Sequence, residues 1–242
     1  MARGQADFGM YAPKEVSASI SDMGEVAARL GSIVIFDKRG DVVDFDNFEE
    51  PNLRWIDGAI PAGGESFFSY LTCRSGSQSR FIAPNASAGA IRSLSKSYQI
   101  LGTKRLGVEI SLCKLMAASS LILNLWYYDG DDRYKARAKV DANTKKVYIA
   151  DSVPDWVEVA DIDTIMDEYF AFQTIKMVVD FDTKKYVRLL FINREFDIST
   201  VSLHSFGSGL TPHYSVLIEN EALTVAGGGT FLDDFILTQA EP

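Results

Sequence analysis

Apolar and polar residues alternate along much of this chain. Leu106, Val108, Ile110 and Leu112 share one face of a period-two segment, and Tyr134, Ala136, Ala138 and Val140 share another. Residues 121–128 are nearly all apolar, interrupted by Asn124, as in a strand covered on both sides. Residues 66–73, 80–82, 91–100, 147–150, 172–181, 186–192, 196–198, 215–218 and 230–238 predict further strands. Two of the turns between strands match: Asp141-x-x-Thr144-Lys145-Lys146 and Asp180-x-x-Thr183-Lys184-Lys185. In each, the aspartate opens a tight turn by bonding nearby backbone, and Thr-Lys-Lys starts the return strand. Residues 32–36 and 41–45 flank Asp37-Lys38-Arg39-Gly40 as a hairpin, while residues 57–65, with Gly58, Pro61, Gly63 and Gly64, read as loop.

Helical spacing occurs in two places. Asp22 and Glu25 have capping-box spacing before residues 26–30, and Gly31 closes that short helix. Ile162, Ile165, Met166 and Tyr169 predict a second short helix within residues 161–171. No strand–helix–strand alternation appears, so the prediction is all-β: two antiparallel sheets packed over one core. Residues 1–31 form an N-terminal arm and short helix, and residues 32–242 form the sandwich domain. Residues 1–20 are small and polar but carry Phe8, Met10 and Tyr11. They read either as a solvated tail or as an arm that orders on a neighbouring subunit.

Composition narrows this picture. The 242 residues are 47% hydrophobic, enough for one large core. The net charge of −9 opposes phosphate backbones, so a general nucleic-acid binder is not expected. The 24 lysines and arginines still allow a local basic patch. No apolar run approaches the roughly 20 residues of a membrane helix, so no membrane partner is expected. The first residues lack the apolar segment of a secretory signal. Cys73 and Cys113 lie in apolar runs and are expected as buried free thiols.

Asp44-Phe45-Asp46-Asn47-Phe48-Glu49-Glu50, followed by Trp55, resembles the opening of carbohydrate-binding-module and concanavalin A-like jelly rolls. The closing Phe231-Leu232-Asp233-Asp234-Phe235-Ile236-Leu237 does too. Residues 139–148 and 172–198 resemble the paired hairpins of laminin-G-like sandwiches. The resemblance covers about residues 32–240 and implies a two-sheet antiparallel jelly-roll sandwich of concanavalin A-like type. It also implies a structural Ca²⁺ held between the first and last strands. Asp44, Asp46, Glu49, Asp233 and Asp234 are the candidate ligands, since calcium takes six to eight oxygens. The alternative is that these acids cap turns and face solvent. Zinc is not expected, because His204 and His213 are not paired with suitably placed cysteines.

Glucanases of this fold carry Glu-x-Asp-x-x-Glu on one strand, and the chain has no such pattern. Glu158-Val159-Ala160-Asp161-Ile162-Asp163 is nearest and departs in spacing. Nucleophile-elbow, P-loop and dinucleotide motifs are absent, and His204 and His213 fall in a Ser- and Gly-rich loop. Sugar binding needs exposed rings, and Trp55, Trp126, Tyr128 and Trp156 are the candidates, with core packing as the alternative. Trp126, Tyr127 and Tyr128 are adjacent and cannot all face inward. These observations favour a non-catalytic sandwich that works by its surface. Such modules with an N-terminal arm resemble bacteriophage virion proteins, as a capsid decoration or tail component. Its partners would be other virion or like subunits bound through residues 1–20, with glycan contact besides. The alternative is a carbohydrate-binding module, or a glycoside hydrolase or lyase, of the concanavalin A-like fold.

Overall fold

The structure, a computed structural model, describes residues 37, 39–50, 53–115, 118–153, 155–162, 169, 171–225 and 228–242. Among them are sixteen strands and no helix. In chain order these begin with β1 (Asp41–Asp46), β2 (Ile56–Ile60), β3 (Glu65–Ser69), β4 (Ser79–Ala83) and β5 (Ile91–Tyr98). The central strands are β6 (Arg105–Cys113), β7 (Ser119–Tyr128), β8 (Asp132–Asp141), β9 (Lys146–Ala150), β10 (Trp156–Asp161) and β11 (Gln173–Asp180). The rest are β12 (Lys185–Phe191), β13 (Arg194–Asp197), β14 (His204–Gly207), β15 (His213–Ala222) and β16 (Thr230–Gln239). The first sheet runs β13-β12-β11-β6-β16-β4-β3, with β1 also on β16. The second runs β10-β9-β8-β7-β15-β5-β2, with β14 also on β8. All pairings are antiparallel, and the fold is a two-sheet jelly-roll sandwich.

The alternating sets meet between the sheets. Leu106, Val108, Ile110 and Leu112 of β6 and Ile175, Met177 and Val179 of β11 face Leu121, Leu123, Leu125 and Tyr127 of β7, Tyr134, Ala136, Ala138 and Val140 of β8, and Tyr214, Val216 and Ile218 of β15. None is more than 6% exposed. Burial of each large apolar side chain contributes about 1.5–3 kcal/mol. The matching turns close as their sequences require. Asp141 Oδ1 accepts from the backbone of Asn143 and Thr144 at 2.9 and 3.0 Å. Asp180 Oδ1 accepts likewise from Asp182 and Thr183 at 2.9 and 3.2 Å. Lys145 and Lys184 then take the left-handed conformation, with φ of 58° and 59°.

Four expectations change. Residues 56–60 form β2 rather than loop. Gly58, which reads as a breaker, lies opposite Ser93, where an added Cβ would sit 2.9 Å from Ser93 Oγ. Residues 204–207, also read as loop, form β14 on the first half of β8. Residues 41–46 pair with the closing strand β16, and their expected hairpin partner, residues 32–36, lies outside the described residues. Asp161, the expected start of a helix over residues 161–171, is the last residue of β10. The middle of that segment, residues 163–168, lies outside the described residues, as do the arm and the helix after Asp22. Cys73 and Cys113 are not joined in a disulfide, and of the two Cys113 is buried.

Tyr186 ties the two sheets together at one point. It belongs to β12 and is 1% exposed. Its hydroxyl accepts from Arg137 N at 2.9 Å and donates to Ala150 O at 2.6 Å. The β8–β9 ladder ends at Ala138–Ile149, and β14 takes over from Lys135. The tyrosine hydroxyl fills the gap between these two partners of β8, where backbone groups would otherwise be left unpaired. Replacing Tyr186 by Phe is therefore expected to destabilise the fold by about 1–3 kcal/mol. Urea denaturation measures this, and an unchanged midpoint would remove the bridge from the account.

Candidate functional site

The two sheets have different outer faces. That of the first sheet is closed by the chain itself. Lys176, 1% exposed, holds Asp37 at 3.0 Å and Glu241 at 2.7 Å. Arg188 bonds Glu241 and donates to Pro242 O at 2.6 Å, so the C-terminal residues are fastened over the sheet. Gly107 leaves room for this: a Cβ there would meet Glu241 Oε1 at 2.6 Å and Lys176 Cε at 2.9 Å. Arg74, from the β3–β4 loop, reaches across to Ser111 and Thr174. Burial pushes the Glu109 carboxyl up to about 8, against the pull of Lys176 and Arg74. The centre of this face is a buried polar network, and a depression of about 330 Å³ lies at its edge beside Arg39, Arg188 and Glu195.

The outer face of the second sheet carries rings and charges that remain partly open. Strand alternation sends Arg133, Lys135, Arg137 and Lys139 of β8 outward. Neighbouring strands supply the rings: Trp126 and Tyr128 from β7, Tyr148 from β9, Trp156 from β10, Phe206 from β14. The cations lie over them. Arg133 is 4.0 Å from the Phe206 centroid and 4.8 Å from that of Trp126. Arg137 is 4.9 Å, and Lys139 4.8 Å, from the Trp156 ring. His213 stacks on Tyr128 with centroids 4.2 Å apart. The Trp126 and Arg133 Nε hydrogens have no partner. On the far side, β15 and β5 present a low polar strip of Ser215, Ser93, Ser95 and Ser97.

One acid lies within this face. Glu219 of β15 accepts from Asn124 Nδ2 at 2.7 Å, and Asn124 Oδ1 accepts from Arg137 Nε at 2.9 Å. Burial raises the Glu219 carboxyl above its ordinary range, against the pull of Arg137. Glu221, two residues on, shares the face.

The structure thus brings together three of the four ring candidates. Trp126 and Trp156 are half-buried on the open face, and Tyr128 is beneath His213. Trp55 is corrected to a core residue. It is 5% exposed, packs edge-on against Phe235 and donates to Asp46 Oδ2, so no ring face is left for a sugar. The β8 cations, Tyr148, Phe206 and Glu219 were not among the sequence candidates. The alternation of β8 is the available signal for its cations: with Tyr134, Ala136, Ala138 and Val140 inward, the residues between them face out.

The acids expected to share Ca²⁺ do not converge as a set, and no cluster of three or more metal-binding side chains occurs among the described residues. Asp44 accepts from Lys96 and Tyr98, at 2.5 and 2.7 Å. Asp46 is held by Phe48 N and Trp55 Nε1 and lies 3.1 Å from Arg54. Glu49 accepts from Ser77 and Gln78. Asp233 accepts from the backbone of Arg74 and Ser75, and Asp234 from Ser75 Oγ.

A surface depression of about 440 Å³ lies elsewhere, where the edge strands β10 and β13 meet. Val157, Val159, Phe196 and Ile198 line it, with Glu158, Glu195 and Asp197 at its rim. It holds no tryptophan or tyrosine and no cation. An open sheet face suited to an extended chain does not enclose volume, so size alone does not decide between the two.

No protein-family model matches the chain, and no curated protein matches it in sequence. Solved structures match it in fold. A protein of unknown function with a galectin-like fold from Bacillus subtilis aligns over 84% of this chain and 98% of its own, with TM-score 0.55 and 10% identity. A Bacillus licheniformis β-glucanase aligns over 81% and 97%, with TM-score 0.47 and 10% identity. A xylan-binding domain from Paenibacillus barcinonensis aligns over 84% and 97%, with TM-score 0.41 and 12% identity. The likeness is one of architecture: the chain has the galectin-like, concanavalin A-like jelly-roll sandwich fold.

The closing Asp-Asp pair gives a pH prediction. Burial, with the Asp234 charge beside it, pushes Asp233 up to about 7, and burial pushes Asp234 up to about 6. Acids raised above their unfolded values stabilise the fold below about pH 4, and that stability is lost as pH rises through about 6 to 7. Asp234 Oδ2 has no partner. Asp234→Asn is expected to raise the melting temperature at pH 8 and to have little effect at pH 4. An equal change at both pH values would contradict the assignment.

Proposed function

We propose that the chain is a glycan-binding β-sandwich whose binding surface is the outer face of the second sheet. The observation that carries this reading is the set of half-buried rings, Trp126, Tyr148 and Trp156, fixed by cations on a sheet face that is partly open among the described residues. The ring surface left open beside the cations offers apolar contact to a pyranose, while Glu221 and the β5 serines offer bonds to hydroxyls. The assembly reading, a virion or like component bound through residues 1–20, rests on a segment outside the described residues and has no other support. Trp126→Ala, screened with the unmodified chain on a glycan array and measured by calorimetry on the strongest ligand, is expected to weaken binding about tenfold or more, roughly 1.4 kcal/mol. Trp55 gives no such effect except by unfolding. An array with no ligand would overturn the reading.

A second reading is glycan cleavage, favoured by Glu219 and Glu221. They lie two residues apart on one strand and share its outer face, as the two acids of a hydrolytic pair must share one face. The raised Glu219 carboxyl suits a proton donor. On this reading Glu219→Gln abolishes release of reducing ends from a bound polysaccharide. Absence of product with the unmodified chain removes cleavage and leaves binding.

A further inference from the structure

We propose that the glycan taken by this face is anionic, a polysaccharide bearing carboxylate or sulfate groups, lying along β8. The proposal rests on the glycan-binding reading of the same face and adds the charge of the ligand.

The chain is acidic overall, with a net charge of −9. Yet every outward position of β8 from residue 133 to 139 is a cation: Arg133, Lys135, Arg137 and Lys139. At about 3.4 Å per residue these four span roughly 20 Å, the length of several sugar units. Lys139 has Asp141 at 3.6 Å. Among the described residues, no carboxylate lies within 4.0 Å of Arg133, Lys135 or Arg137. Their charges are held over rings instead: Arg133 and Lys135 are each 4.8 Å from the Trp126 centroid. A cation over a ring is positioned without being neutralised. The crowding is unfavourable in the free protein. Burial first, then the charges of Arg133 and Arg137, hold the Lys135 ammonium below its ordinary range. An incoming anion relieves that repulsion, which a neutral sugar does not.

Rings with cations also suit a single-stranded nucleic acid. The adjoining strand argues for a glycan. Glu219 and Glu221 share the face with the cations, and the serines of β5 lie beyond them. A deoxyribose-phosphate backbone has no hydroxyl to donate to these acids. A polysaccharide with hydroxyls between its charges offers donors to the acids and anions to β8.

The test is calorimetry of the full chain with polygalacturonate, dextran sulfate, neutral xylan, neutral mixed-linkage glucan and a single-stranded oligonucleotide of similar length. At least one anionic glycan is expected to bind about tenfold or more tighter than either neutral polymer, and its affinity to fall as salt rises. The first two arms decide between carboxylate and sulfate. The folded variant Arg133→Gln/Lys135→Gln is expected to lose about tenfold or more in affinity for the anionic glycan. If that variant does not fold, the salt titration of the unmodified chain decides, and a salt-independent affinity overturns the proposal. Equal affinity for neutral polymers overturns the anionic ligand and leaves glycan binding intact. Tighter binding of the oligonucleotide also overturns it. No binding of any polymer overturns both readings.

Discussion

The register of β8 is the constraint on which the rest of the structure depends. Tyr134, Ala136, Ala138 and Val140 point into the core, and Arg133, Lys135, Arg137 and Lys139 point out. A slip of one residue against β7 would exchange the two sets. Four cations would enter an apolar interior, at a cost far above the stability of an ordinary domain. Three neighbours fix the register. β7 pairs along Ser120–Tyr128, β9 holds the far half, and β14 holds the near half. The Tyr186 hydroxyl closes the fork between the last two from across the core. The same contact that joins the sheets therefore sets the backbone of Arg137, at the centre of the open face.

The sandwich treats its two polar faces in opposite ways. On the first sheet, opposite charges are paired and covered: Lys176 and Arg188 fasten the C-terminal Glu241, and the loop after β3 carries Arg74 over Ser111 and Thr174. Such pairing satisfies buried charge but leaves nothing for a ligand. On the second sheet, like charges stand side by side over aromatic rings, with Glu219 and Asn124 at their margin. A surface left electrostatically incomplete is one that a partner of opposite charge completes.

Much of the fold was legible in the sequence. Strict alternation in residues 106–112 and 134–140, the continuous apolar run at 121–128 and the matching Asp-x-x-Thr-Lys-Lys turns specify antiparallel strands and their hairpins without tertiary information. The strands that escaped were short or edge strands. β2 contains Gly58, tolerated because Ser93 lies against it, and β14 is four residues long with serine and glycine in it. Their pairing comes from the neighbour, not from local propensity. The site was legible in part. Adjacent Trp126, Tyr127 and Tyr128 had to split between faces, and they do, with Tyr127 inward. Trp55 takes the core-packing alternative, because Asp46 is the acceptor for its buried indole. The calcium expectation drew on acids that are near in pairing order but bonded to different donors. Neither outcome can be read from residue types along a line, since each depends on which groups three-dimensional packing places against them.

The chain has three tryptophans, each with one indole N–H, and the account assigns them different roles. Heteronuclear NMR of the indole N–H resonances during titration with oligogalacturonate, and separately with a sulfated oligosaccharide, is the most direct measurement. The account predicts that the Trp126 and Trp156 signals shift together and saturably while buried Trp55 stays in place. Shifts confined to Trp55, or perturbations centred on the Val157–Phe196 depression with Trp126 unmoved, would contradict it.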